Sequence, residues 1–308
     1  MSQAARLPLT DPEVLSTAPV PAGFNDVEGW FWNVDQVLFD WFLGHQNADA
    51  EHRGDLLELG SYMGKSAIFM GKYLREGEEF TVCDLFDSPA EDESNLAETQ
   101  SSYASLTRQA FETNYLAFHE ALPTVIQAPT SVVGDRVRAN SCRFIHVDAS
   151  HLYEHVHGDI QASRLLAAPG AVVVFDDYRS EHCPGVAAAV WGAVTTADLR
   201  VICVSGTKLY ATWDDPAPLQ KALRTWLEGR EDLWHGIDTV VEAPLVRIGG
   251  QKAIAPPAPK PLKAPEVPVL AAVPAQPKPA PRSRRARKLA KDLLPPIVTR
   301  AIVASRRR

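Results

Sequence analysis

The sequence predicts a doubly wound α/β domain on a mainly parallel, seven-stranded sheet whose last strand runs antiparallel. Three observations lead there. From Asp55 onward, short apolar runs alternate with stretches of helical spacing, the pattern of strand–helix–strand units. Runs such as Val172-Val173-Val174-Phe175 are apolar without a break, so they read as strands covered on both faces. The last two strands are joined by Ser205-Gly206, which is hairpin chemistry and reverses the final strand.

The elements follow in order. Residues 1–22 are polar and proline-containing, and read as an arm. In 27–44, Trp30, Phe31, Trp32, Trp41 and Phe42 recur at helical spacing and Gly44 suits a C-cap, so a helix is expected over the domain or over its site. Strands are expected at 55–60, 79–84, 123–127, 143–148, 171–176, 200–205 and 207–213. Helices are expected at 64–75, 102–118, 152–167, 184–195 and 217–228. Segment 87–101 is acidic and turn-rich, and reads as an exposed loop near the site. Residues 251–281 hold ten prolines among Ala, Val and Lys, a composition that favours extended polyproline over a core. The expected organisation is an arm and helical cover (1–50), one domain (51–250), a Pro/Ala-rich disordered linker (251–282) and a basic amphipathic tail (283–308). There is no internal repeat.

With 308 residues and 45% hydrophobic content, the chain can bury a sizeable core. Cys83, Cys142, Cys183 and Cys203 lack CxxC spacing and read as reduced core thiols, not a disulfide framework or a zinc site. Met1 to Val20 has no apolar segment of signal-peptide type, and no run reaches the roughly 18 apolar residues of a spanning helix. A cytoplasmic protein is expected, peripheral to a membrane at most. The net charge of −7 hides a split: residues 283–308 carry nine Lys/Arg against Asp292, a net +8, which leaves −15 on the rest.

The chemistry gathers at two segments. Leu56-Leu57-Glu58-Leu59-Gly60-Ser61-Tyr62-Met63-Gly64-Lys65-Ser66 is a strand running into a glycine turn. Such a turn lets backbone N–H groups and a helix N-terminus approach a ligand. Glu58, just before it, can take an ammonium, and Asp84, ending the next strand, can accept ribose hydroxyls. A phosphate loop needs four residues between Gly60 and the Gly-Lys pair, and here there are three. The GxGxxG dinucleotide fingerprint is absent as well. In the second segment, Asp148, Asp176 and Asp177 end neighbouring strands. Three carboxylates converging without a counter-ion repel one another, and an oxygen-only set suits Mg²⁺. His151, three residues after Asp148, is a candidate base near neutral pH. His146, within a strand, reads as a core or cofactor-adjacent histidine.

These segments resemble the class I S-adenosylmethionine-dependent methyltransferases. More narrowly, they resemble the branch containing metal-dependent sugar and macrolide O-methyltransferases. The resemblance covers about residues 27–213. It rests on Glu58 to Ser66, Asp84, Asp148-Ala149-Ser150-His151-Leu152-Tyr153-Glu154, Pro169-Gly170, Phe175-Asp176-Asp177-Tyr178 and Pro184-Gly185-Val186. It implies a Rossmann-like methyltransferase fold. Glu58, Gly60, Ser61, Tyr62, Gly64 and Ser66 would hold the methionine part of S-adenosylmethionine, Asp84 the ribose and Ser131 the adenine, with Asp148 also in contact. Mg²⁺ would sit on Asp148, Asp176 and Asp177, with His151 as the base. Ala149 departs from the Asp-Gly pattern of many relatives, which bears on the local geometry.

The implied reaction is O-methylation of a sugar, a glycan or a glycosylated small molecule. Two other readings stand beside it. One is a non-catalytic scaffold that recruits partners or membrane through its tail; the presence of Glu58, Asp84 and all three aspartates argues against it. The other is a metal-dependent hydroxylase-like relative, disfavoured by the lack of a two-His, one-carboxylate set. For the tail, Leu289, Leu293, Leu294, Ile297, Val298, Ile302 and Val303 among Arg and Lys suit an anionic membrane surface. Nucleic acid is the less fitting partner, because no aromatic residue is there to stack bases. A merely solvated tail and a homo-oligomer are both compatible with the sequence.

Overall fold

A computed structural model of the chain describes residues 19–89 and 106–262. Nine strands among them form one sheet: β1 Asp55–Leu59, β2 Phe80–Asp84, β3 Thr124–Gln127, β4 Cys142–Val147, β5 Ala167–Phe175, β6 Arg200–Val204, β7 Leu209–Thr212, β8 Trp234–Val240 and β9 Ala243–Gly249. Their order across the sheet is β3-β2-β1-β4-β5-β7-β6-β9-β8. The first five are mutually parallel, and β7 lies antiparallel between β5 and β6. From β1 the chain moves outward to β2 and β3, then crosses back to place β4 on the other side of β1. That reversal opens a crevice beyond the carboxyl ends of β1 and β4, where ligands bind in open α/β sheets.

All seven expected strands form. The hairpin β8–β9 extends the sheet to nine, β9 running parallel to β6. Its turn, Val241-Glu242, is left-handed at both positions (φ 50° and 62°). Such turns usually carry Asn-Gly, and Val-Glu carries no such turn signal. Much of β8 faces solvent, including Trp234 and Ile237, so it lacks the alternation of a half-buried strand.

The helices are α1 Asn33–Ala48, α2 Lys65–Gly71, α3 Arg108–Leu116, α4 Val133–Arg136, α5 Tyr153–Leu166, α6 Pro184–Thr196 and α7 Ala217–Leu227. Alternate strand residues point to opposite faces. Leu56, Val82, Phe144 and Val174 meet Leu38 and Phe39 of α1, Phe69 of α2 and Leu223 of α7 in one core. Leu57, Leu59, Ile145, Val147 and Phe175 meet Val156 and Ile160 of α5 and Val190 of α6 in the other. The four cysteines are buried and unbridged.

Two expectations shift. The helix placed at 27–44 starts instead at Asn33, where Asp35 Oδ2 accepts the Trp32 backbone N–H (3.0 Å). It runs through Gly44 to Ala48, because its last turn is anchored: Gln46 bonds both the Arg143 carbonyl (2.8 Å) and the Arg143 guanidinium (3.0 Å). The start of the stretch expected as a disordered linker, 251–262, lies on the domain. Asn33 Nδ2 donates to the Ala253 carbonyl (3.1 Å), Ile254 N to Asp232 (2.8 Å) and Leu262 N to the Ala117 carbonyl (2.8 Å). Proline removes backbone donors, yet the residues between the prolines still carry theirs. Most of the acidic loop and all of 263–308, with the basic tail, lie outside the described residues. Among the described residues no helix is long and apolar enough to cross a membrane.

Candidate active site

A cleft of about 800 Å³ opens at the carboxyl ends of β1, β2, β4 and β5. Gly60, Ser61, Tyr62, Ser66, Asp84, Ser131, Asp148, His151, Asp176 and Asp177 all line it, so most of the predicted site residues meet in one place. Glu58 and Gly64 do not line it. Gly60 (φ +79°) turns the chain out of β1 so closely against β4 that a Cβ there would lie 2.1 Å from the Asp148 carbonyl oxygen. Gly64 (φ +87°) caps α2, where a Cβ would meet the Phe111 ring at 2.9 Å. Both glycines are required by left-handed backbone and by close approach.

Asp84 ties the loop down. Its Oδ2 accepts the Ser61 and Tyr62 backbone N–H groups (2.7 and 3.1 Å) and its Oδ1 accepts that of Phe86 (2.7 Å). Burial raises its pKa against the pull of those bonds. A carboxylate offers about four acceptor positions, so Oδ1 keeps capacity for a further donor. Above the loop, Trp30 stacks on Tyr62 (centroids 5.5 Å apart), and the Tyr62 hydroxyl donates to Glu28 (3.2 Å). The segment before α1 thus walls the cleft.

Beneath the cleft floor runs a buried polar chain. Glu58 and His146 are register partners on β1 and β4, and Glu58 Oε1 lies 2.8 Å from His146 Nδ1. His146 Nε2 lies 3.1 Å from Lys208 Nζ, which is itself 2.5 Å from Asp176 Oδ2. Glu58, His146 and Lys208 have no solvent exposure. Glu58 Oε2 has no hydrogen-bond partner. Burial pushes Glu58 up to about 8 and His146 well down. For Lys208, burial alone would lower the pKa, but Asp176, Asp148 and Asp35 outweigh it and raise it. Sequence reading singled out neither Lys208 nor Asp35. The available signal was a lysine entering the apolar strand Leu209-Tyr210-Ala211.

The three aspartates line one cleft, but only Asp148 and Asp176 come close enough, with His146, to share an ion. Asp148 and Asp176 face one another, and burial followed by the Asp176 charge raises Asp148 well above the usual range. Asp177 turns away: its Oδ2 lies 3.5 Å from His151 Nε2, and its Oδ1 accepts the Ser180 hydroxyl (2.5 Å). The His151 hydrogen bond leads in holding Asp177 down, at about 2. Among the described residues, the side chains that could jointly hold a metal here are His146, Asp148 and Asp176, and separately His151, His182 and Cys183.

A pH dependence follows. Burial raises Glu58 to about 8, Asp159 to about 7 and Asp35 to about 6. Between the ordinary carboxyl range and those values, the folded protein binds more protons than the unfolded chain, so stability falls as pH rises. Asp177 acts oppositely: its stabilisation is present above pH about 4 and is lost as pH falls through about 2. The lowered His146, His52 and His119 oppose this only below their ordinary value of about 6.5, so the melting temperature of the ligand-free protein is expected to be higher near pH 6.5 than at pH 8. Scanning fluorimetry over that range checks this, and a melting temperature that climbs toward pH 8 contradicts it.

Residues 57–178 match the family model of a methyltransferase domain. No curated protein matches the chain. Among solved structures, the chain is similar to the O-methyltransferase NovP (18% identity over 57% of this chain and 78% of that one, TM-score 0.45). It is also similar to CalS11, a TDP-rhamnose 3'-O-methyltransferase of calicheamicin biosynthesis (17%, 59% and 80%, TM-score 0.42). A third is the O-methyltransferase TomG from Streptomyces achromogenes (15%, 72% and 79%, TM-score 0.31). The family match spans most of β1, the whole of β2 to β5, the glycine loop and the Asp176-Asp177 pair. The strands and loops that build the cleft thus lie inside the stretch that matches a methyltransferase domain.

Proposed function

We propose that the protein transfers the methyl group of S-adenosylmethionine to a hydroxyl of a sugar, a glycan or a glycosylated small molecule. The observation that carries this reading is the His151–Asp177 pair at the wall of the cleft that also holds the glycine loop and Asp84. A residue that takes a proton, oriented by a carboxylate, is what an alcohol needs in order to attack a methyl group. The residues present fit the cofactor. Glu58 Oε2 is a buried acceptor without a partner beneath the loop, and Asp84 Oδ1 retains acceptor capacity. The Gly60–Gly64 loop with Ser61, Tyr62 and Ser66 would hold the methionine part over Glu58. Asp84 would take the ribose and Ser131 the adenine, with Asp148 at the methyl-bearing end. Bound there, S-adenosylmethionine supplies an electrophilic methyl group. His151 accepts the proton of the acceptor hydroxyl, and the ionised Asp177 steadies the imidazolium that forms. Trp30 and Trp32, 59% and 57% exposed at the cleft mouth, offer apolar faces to a sugar ring and help exclude water.

The expected Mg²⁺ on Asp148, Asp176 and Asp177 does not fit these residues. Asp176 Oδ2 holds the Lys208 ammonium and its Oδ1 accepts the Asp177 backbone N–H (2.8 Å), while both Asp177 oxygens are engaged by His151 and Ser180. A divalent ion roughly 4 Å from an ammonium would be repelled by about 8 kcal/mol at an effective dielectric near 20. No step here uses a metal.

The test is calorimetric titration with S-adenosylhomocysteine. Wild type is expected to bind in the micromolar range, about 7–8 kcal/mol. Asp84→Ala is expected to lose binding while circular dichroism confirms its fold. Failure of well-folded wild type to bind would remove the reading; binding would lead to an acceptor screen of nucleoside-diphosphate sugars and glycosides.

A further inference from the structure

Lys208 is the one lysine among the described residues with no solvent exposure. Burying an ammonium is costly unless it is paired and hydrogen-bonded, and here every partner belongs to the site. Nζ lies 2.5 Å from Asp176 Oδ2 and 3.1 Å from His146 Nε2. To accept from an ammonium, His146 Nε2 must carry a lone pair. Its Nδ1 then bears the proton and donates to Glu58 (2.8 Å). On its other side, Thr207 donates to Asp35 (2.5 Å), so the turn that delivers Lys208 is itself fastened to α1. That turn is closed by Ser205 N donating to the Lys208 carbonyl (2.8 Å). The ammonium is thus placed by backbone, by its partners Asp176 and His146, and by Glu58, Thr207 and Asp35 behind them, at the meeting of Asp148 and Asp176 where the sequence called for a cation.

We propose that Lys208 is the built-in cation of this site, a positioning residue that stands in place of a divalent metal ion and fixes Asp176 and His146 for a metal-independent methyl transfer. The proposal rests on the methyl-transfer reading above, but its test does not require turnover. Binding of Mn²⁺ to the full chain is followed by the electron paramagnetic resonance of free Mn²⁺, with S-adenosylhomocysteine present. Wild type is expected to sequester no Mn²⁺ below about 1 mM. Lys208→Met, which keeps the stem and removes the charge, is expected to bind Mn²⁺ at least about tenfold tighter by freeing Asp176 beside Asp148. Lys208→Arg, which keeps the charge, is expected to remain blind to it. Tight Mn²⁺ binding by wild type overturns the proposal, as does a folded Lys208→Met that gains none. Should Lys208→Met fail to fold, the wild-type titration decides alone. S-adenosylhomocysteine binding is read separately by calorimetry, so loss of the methyl-transfer reading and loss of this proposal give different results.

Discussion

Gly60→Ala is expected to cost about 2–5 kcal/mol of stability and to abolish S-adenosylhomocysteine binding. Two costs add. The residue sits at φ +79°, where an L side chain loses roughly 1–2 kcal/mol. The new Cβ would also lie 2.1 Å from the Asp148 carbonyl oxygen and 2.6 Å from the Ala149 Cα, both backbone atoms that no rotamer change can move. Relief requires parting β1 from β4 where Asp148 N donates to the Leu59 carbonyl (2.7 Å), and overpacking of this kind costs about 1–3 kcal/mol. The same parting displaces the Ser61 and Tyr62 amides from Asp84. Gly77→Ala is the control: φ is +78° there too, but a Cβ would meet nothing within 4 Å. It carries the backbone cost alone, partly offset by the stiffer unfolded chain, and should lose about 1 kcal/mol or less. Urea midpoints of the two variants check the argument. Equal losses would mean that the collision with β4 is not real.

What the sequence made legible has a physical pattern. Strands β1, β2, β4, β6 and β7 and the end of β5 are largely apolar runs buried on both faces between turn residues, so composition marks them, while β3 at the sheet edge is only half-buried. The glycine loop, Asp84 and Asp148 could be placed in one cleft because parallel strands all deliver their carboxyl ends to the same edge. Two kinds of feature were hidden. The β8–β9 hairpin turns at Val241-Glu242, residues that carry no preference for left-handed backbone, and it borders solvent. The second is direction. Sequence adjacency put Asp176 and Asp177 in one ligand set, yet β5 ends at Phe175 and Asp177 takes left-handed backbone (φ 51°) that re-aims its side chain. Asp176 reaches Lys208 below the floor, and Asp177 reaches His151 at the wall. The period of two also puts Glu58 and His146 on one face of the sheet, a juxtaposition readable once the β1–β4 register is known. The counter-charge itself was foreseeable in kind, since three acids demand a cation. Its identity was not, because Lys208 comes from a strand that pairs beyond β5.

The second large effect is expected at His151. His151→Ala should lower kcat about 10²- to 10⁴-fold, the range associated with loss of a positioned general base. Affinity for S-adenosylhomocysteine should stay within about twofold, because the glycine loop and Asp84 are untouched. The segment that carries His151 is held independently of the imidazole. Leu152 N donates to Ser150 Oγ (3.3 Å), and Ser150 Oγ bonds His155 Nδ1 (2.9 Å). The absence of a side chain at Gly185 lets the His151 carbonyl come where a Cβ would be 2.5 Å away. Removing the ring therefore leaves the backbone in place. Asp177→Asn should act in the same direction with a smaller loss, because the amide can still orient the ring but cannot balance the charge it gains on taking a proton. Were His151 only a structural partner of Asp177, the alanine variant would instead show a lower melting temperature and weaker cofactor binding, with kcat nearly intact. Measuring kcat, cofactor affinity and melting temperature on the same variants separates the two cases, since only a proton-accepting role lowers kcat while leaving the other two unchanged.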